Sequence, residues 1–154
     1  HRGGTAIFFA SMCRLLGNGR VISIDTQTPP DTKRAVAQSP FAGLITLIDG
    51  DSVSDEVVKK VRHSVRQNEK VFIFLDSGHS KDHVLRELKA HAPLVTPGSY
   101  IVAADGVMRY LADTPRGRKE WAEDNPAAAA HEFVKDHPEF RIERPKAICL
   151  DCGD

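Results

Sequence analysis

The sequence predicts an α/β protein with a doubly wound, mostly parallel sheet and helices on both faces. Three observations lead there. Short apolar runs, "VISID", "LITLIDGD", "VFIFLD" and "GSYIVAAD", alternate with stretches of helical spacing, the pattern of parallel βαβ units. The run "VFIFL" has no polar alternation, as a strand buried on both faces requires. Each of the four runs ends on or beside an acid, and the carboxyl ends of strands in an open parallel sheet form one edge, where ligands sit.

Taken in order, "GGTAIFFASMCRLLG" is apolar throughout and ends at Gly17, which predicts a buried helix with a glycine stop. "GRVISID" is a β-branched strand ending on Asp25. "TQTPPDTKRAVAQSP" reads as a loop with a short helix, and "LITLIDGD" as a second strand. In "SDEVVKKVRHSVRQ", Ser54 is the expected N-cap and Val57, Val58, Val61 and Val65 share one helical face. "KVFIFLD" follows, then "SKDHVLRELKAHAPLV", capped by Ser80, with Val84, Leu85, Leu88 and Ala92 at helical spacing. "GSYIVAAD" is the fourth strand. Pro126 can start a helix through "AAAAHEFVKDH". "FRIER" and "KAICLD" predict an antiparallel edge at the C-terminus.

The chain opens at "HRGG" and enters a helix at once. A glycine pair before a helix has the form of a phosphate- or nucleotide-binding loop, whose backbone N–H groups face an anion at the helix N-terminus. The strand that should precede such a loop is missing from the chain. Residues 1–154 are therefore expected to be a single domain, truncated at its N-terminus.

Composition narrows the function. Lys plus Arg and Asp plus Glu both number 21, so the formal charge is zero and there is no electrostatic case for nucleic acid or an anionic membrane. No run has the length of a transmembrane span or the form of a signal peptide. Three cysteines, an odd number, argue against a disulfide framework and fit a cytoplasmic location. Cys149 and Cys152 make a lone C-x-x-C, a weak zinc signal without a second pair.

The strand-end acids are Asp25, Asp51 (just past Asp49), Asp76 and Asp105. Asp25 lies about twenty residues past the glycine pair, the spacing of an acid that accepts from ribose hydroxyls; the plainer reading is a turn residue. Asp76 and Asp105 follow neighbouring strands. Two carboxylates converging there repel unless a cation or proton lies between them, and oxygen ligation favours Mg²⁺ or a similar hard divalent ion. Alternatively each simply shapes its turn. His79 and His83, four apart, could share a helical face as a zinc pair, but the glutamate of H-E-x-x-H is absent. His79 alone, beside Asp76, is the better candidate for proton transfer.

"RGGTAIFFASM", "GRVISID", "GDS" before an acidic helix start, "FLDSGHSKDHVLRELKAHAPLVTPGSYIVAAD" and "AAAAHEFVKDHPEF" together resemble the cephalosporin hydroxylase family, which includes rhamnosyl O-methyltransferases. The resemblance covers nearly the whole chain and is most specific in the "LDSGHSKDHVLRELKAHAPLVTPGSY" block. It implies a Rossmann-like, class I S-adenosylmethionine-dependent methyltransferase. It places Gly3 and Gly4 at the cofactor's methionine part, Asp25 on the ribose, Asp51 and Ser52 near the adenine, and Asp76 and Asp105 on a divalent metal. The family often has Glu-Asp where this chain has Ala104-Asp105, so one expected carboxylate is missing.

The implied reaction is metal-assisted methyl transfer to a hydroxyl of a sugar or natural product, with His79 as base and Asp76 as ligand. The expected partner is that small-molecule acceptor, with homo-oligomerisation left open. Two alternatives remain. A non-haem-iron hydroxylase would need two imidazoles and a carboxylate, drawn from His79, His83 and Asp76 or Asp105. A domain that binds the cofactor but has lost metal and catalysis is suggested by Ala104.

Overall fold

The computed structural model describes residues 3–143, which form a mixed α/β structure in two compact units, divided between residues 71 and 72. The two are described separately.

The first unit opens with α1 (Gly4–Leu15). Gly17 ends it at φ 74°, and its N–H donates to the Arg14 carbonyl at 3.1 Å. This is the expected left-handed stop, where a residue with a Cβ would be strained. The helix is not buried as expected. Only Ala6 and Ala10 are buried, while Phe8, Leu15 and Leu16 are exposed. Apolar composition gave no direction, and the alanines make the buried side.

β1 (Val21–Asp25) and β2 (Ile45–Asp49) pair in parallel, with Val21 opposite Ile45 and Asp25 opposite Asp49. Between them runs α2 (Pro30–Gln38), longer than the short helix expected, with prolines at its start where no N–H is needed. α3 (Asp55–Ser64) follows, and the Ser54 hydroxyl accepts from the Val57 N–H at 3.4 Å. Its buried face is Val57, Val58 and Val61. Val65 lies just beyond its end. Arg20 and Glu69, 2.7 Å apart, tie the entry of β1 to the chain after α3 and hold the Glu69 carboxyl below its usual range.

The second unit pairs β3 (Ile73–Leu75) with β4 (Ile101–Ala103), again in parallel. α4 (Lys81–His91) begins at the Ser80 cap, whose hydroxyl accepts from the His83 N–H. α5 (Pro126–Asp136) begins at Asn125, which is 1 % exposed. Asn125 accepts from the Ala128 N–H at 2.9 Å and donates to the Trp121 carbonyl at 2.8 Å, so burial leaves its amide paired. Leu75, Val84, Leu88, Ala92, Ala129 and Phe133 form the core of this unit.

Two expectations are corrected here. "VFIFL" is not buried on both faces: the strand itself is Ile73–Leu75, Leu75 is buried, and Phe72 and Phe74 are 46 % and 37 % exposed. A side chain on a strand alternates between faces whatever its polarity, so an all-apolar run does not ensure two covered faces. Residues 141–143 are not a strand, and the rest of the expected antiparallel edge, with Cys149 and Cys152, lies outside the described residues. Among the described residues, the strands form two parallel pairs. No helix among the described residues is long and apolar enough to cross a membrane.

Candidate functional site

Because β3 and β4 are parallel, the residues that follow them leave the same end of the pair. Leu75 is the last residue of β3, and Asp76 comes next. The Ala104 N–H donates to the Leu75 carbonyl at 2.9 Å, which carries the ladder one step past β4 and delivers Asp105 beside Asp76. Asp105 adopts a left-handed conformation, φ 56° and ψ 21°, and its carbonyl accepts from the Met108 N–H. Asp is one of the few non-glycine residues that tolerates this backbone.

The loop from Asp76 to His79 folds back against α4. A Cβ at Gly78 would lie 3.2 Å from the His83 ring, so the absence of a side chain there allows the close approach. His79 Nε2 stands 3.5 Å from Asp105 Oδ2. One ligand atom each from Asp76, His79 and Asp105 lie within 4.8 Å of one another. The two acids are exposed and His79 is half-buried. The carboxylates of Asp76 and Asp105 take no hydrogen bond from a neighbouring backbone N–H among the described residues, and Ser80, not Asp76, caps α4.

His79 and His83 do not act as a pair. His79 precedes the Ser80 cap, and His83 Nε2 is turned to Ser77 Oγ at 3.1 Å and Glu87 Oε1 at 3.5 Å. The cluster thus holds one imidazole and two carboxylates, not the two imidazoles and one carboxylate of the iron reading.

In the first unit, Gly3 caps α1 at φ 75°. A Cβ there would lie 3.1 Å from Val36 and 3.2 Å from Thr32, so backbone geometry and packing against α2 both call for glycine. A Cβ at Gly4 would meet nothing. Asp25 ends β1 and is exposed, and its Oδ1 accepts from the Gln27 N–H at 3.1 Å. Asp51 Oδ1 accepts from the Val53 N–H at 3.1 Å, and its carbonyl accepts from Ser54. Half-buried Ser52 lies in that turn.

Two features escaped the sequence reading. Asp49 accepts from the Thr28 N–H at 2.9 Å and pairs with Lys33 at 2.7 Å; Lys33, then Thr28, hold its carboxyl well below the usual carboxylate range. Glu87 is 2 % exposed and accepts from the Ser77 hydroxyl at 2.7 Å. An acid at position 87, on the face of Val84, Leu88 and His91, was the available signal in "HVLRELKAH".

The second unit also contains an open polar hollow of about 320 Å³, lined in part by Lys81, Arg109, His131, Glu132 and Lys135. Lys81 and Glu132 are 2.6 Å apart there; the pair raises the lysine pKa and lowers that of the glutamate.

A family model described as rhamnosyl O-methyltransferase/CmcI matches residues 1–150. Proteins named rhamnosyl O-methyltransferase from Mycobacterium tuberculosis (strain ATCC 25618 / H37Rv) and Mycobacterium bovis (strain BCG / Pasteur 1173P2) are 31 % identical over 104 residues, which is 67 % of this chain and 41 % of theirs. The protein of that name from Mycobacterium leprae is 33 % identical over 105 residues, 67 % of this chain and 44 % of its own length. The matched stretch is therefore less than half of each relative. No solved structure matches significantly. The match over residues 1–150 shows that the chain belongs to the rhamnosyl O-methyltransferase/CmcI family.

Proposed function

We propose that the chain belongs to an S-adenosylmethionine-dependent O-methyltransferase, built on a doubly wound methyltransferase sheet, that acts on a sugar hydroxyl with the help of a divalent cation. Family membership supports methyl transfer. The observation that carries the site is the convergence of Asp76, His79 and Asp105 within 4.8 Å. Two exposed carboxylates suit a hard divalent ion that keeps several waters, and the imidazole stands beside them. An ion bound there would lower the pKa of the acceptor hydroxyl.

Asp76 and Asp105 would hold that ion. His79, as the neutral imidazole, receives the hydroxyl proton, and its partial exposure lets the proton pass on to solvent. On the donor side, Gly3 and Gly4 present the N-terminus of α1 to the methionine part of the cofactor. Asp25 accepts from the ribose, and Asp51 with Ser52 lies at the adenine. The cofactor supplies an electrophilic methyl on sulfur. Transfer of that methyl to the acceptor oxygen, with cleavage of the carbon–sulfur bond, would leave a methyl ether, S-adenosylhomocysteine and one proton. The polar hollow beside Lys81 and Arg109 offers donors and acceptors of the kind a polyhydroxylated acceptor needs.

One observation favours a second reading, a domain that binds the cofactor without turnover: Ala104 leaves the cluster with two acids. Calorimetry with S-adenosylhomocysteine and Mn²⁺, and methyl transfer to methyl rhamnoside with and without chelator, separate the two. Binding of both ligands with chelator-sensitive transfer supports the enzyme. Cofactor binding with neither Mn²⁺ binding nor transfer supports the second reading.

A further inference from the structure

A buried carboxylate on an apolar helix face needs a partner to offset lost solvation. One such partner of Glu87 lies on the loop that carries Asp76 and His79, and another, His83 at 3.5 Å, lies on its own helix. The Ser77 hydroxyl donates to Glu87 Oε2 at 2.7 Å. His83 Nε2 faces Ser77 Oγ at 3.1 Å, so the consistent assignment has His83 donating to Ser77 and Ser77 donating to Glu87. Ser77 is exposed as a residue, yet its hydroxyl is turned inward. Gly78 packs on the same His83 ring. Residues 77 and 78, between Asp76 and His79, are thus both seated on α4.

We infer that Glu87, Ser77 and His83 form a positioning network that fixes where Asp76 and His79 stand. None of the three touches the reacting atoms. They act through the loop, as groups behind metal ligands commonly do. The inference rests on the proposed role of Asp76 and His79 in metal-assisted transfer.

The test uses the full chain, with Mn²⁺ as the probe, read by calorimetry. Ser77→Ala, which should also lower the melting temperature because buried Glu87 loses a donor, should weaken Mn²⁺ binding by about tenfold or more while S-adenosylhomocysteine binding changes little. Glu87→Leu should do the same if it folds. Glu87→Gln, which keeps an acceptor for Ser77, should lose less than either. Unchanged Mn²⁺ affinity in Ser77→Ala, in a protein where Asp76→Asn abolishes it, overturns the network. Should the wild-type protein bind no Mn²⁺, the metal reading fails, and the network is judged by amide exchange at residues 76–79. Faster exchange in Ser77→Ala upholds it, and unchanged exchange refutes it.

Discussion

At the carboxyl end of β1 and β2, Asp25 and Asp49 stand opposite each other in the ladder, and Asp51 follows. All three are engaged locally. Asp25 and Asp51 accept from backbone N–H groups two residues on, and Asp49 takes the Thr28 N–H and Lys33. At the carboxyl end of β3 and β4, Asp76 and Asp105 have no such backbone donors among the described residues, and instead they gather with His79. The same sequence signal, an aspartate closing a parallel strand, has two different surroundings. Where a turn or a lysine already satisfies the carboxylate, a cation would gain little. Where carboxylates converge without donors, a cation relieves their repulsion.

The most severe test of this contrast is to remove the converging groups. His79→Ala should lower turnover by about 10²–10⁴, the usual worth of a positioned base, and Asp76→Asn should abolish the metal-dependent part. Asp49→Asn, which keeps an acceptor for the Thr28 N–H, should leave turnover nearly intact. Rates of methyl transfer to methyl rhamnoside measure all three, and a His79→Ala enzyme at wild-type rate would end the comparison.

A smaller effect is expected from Asp25→Ala. A charge-assisted hydrogen bond to ribose is worth roughly 1.5–3 kcal/mol, so S-adenosylmethionine should bind about tenfold more weakly or worse. Equal calorimetric affinities would leave Asp25 as a turn residue only. Ala104→Glu sharpens the contrast in the opposite direction by adding a third acid to the second pair of strands. Mn²⁺ should then bind more tightly than in the wild type, and titration of the two proteins side by side decides it.

The mildest prediction concerns pH. Lys33 and Thr28 depress the folded pKa of Asp49 below its unfolded value, so the proton binds more tightly to the unfolded chain. The stability this contributes is complete above the unfolded value of about 3.9 and is lost as pH falls through and below it. Thermal melts of the wild type and Asp49→Asn should therefore differ most above about pH 5 and converge toward acid. The pair is exposed, so the gap is small. A gap that widens with acidification would contradict the assigned cause.

Much of this was readable in the chain because punctuation residues act locally. Gly17, Ser54, Ser80 and Pro126 mark helix ends through their own backbone chemistry, and each does so here. The strand ends were equally plain, since each apolar run stops at its acid. The approach of the acids at 76 and 105 was legible, because the parallel pairing of β3 and β4 that brings them together was itself expected. What could not be read depended on contacts distant in sequence. The exposure of Phe8 on α1 and Phe74 on β3 depends on which side meets the rest of the protein, and an all-apolar run carries no direction. The partners of Glu87 depend on a loop ten residues away.

Asp105 shows a division between what a backbone prefers and what the proposed site would require. Its left-handed conformation would cost a glycine nothing and costs an L-residue on the order of 1 kcal/mol, less for aspartate than for most. The position therefore trades folding stability for a carboxylate. Asp105→Gly should remove the strain and the carboxylate together, giving a protein that melts higher and binds Mn²⁺ less well. Asp105→Ala should lose the carboxylate and keep the strain. The difference in melting temperature between these two variants isolates the conformational part of the trade, and the metal affinity that both lose reports the side chain alone.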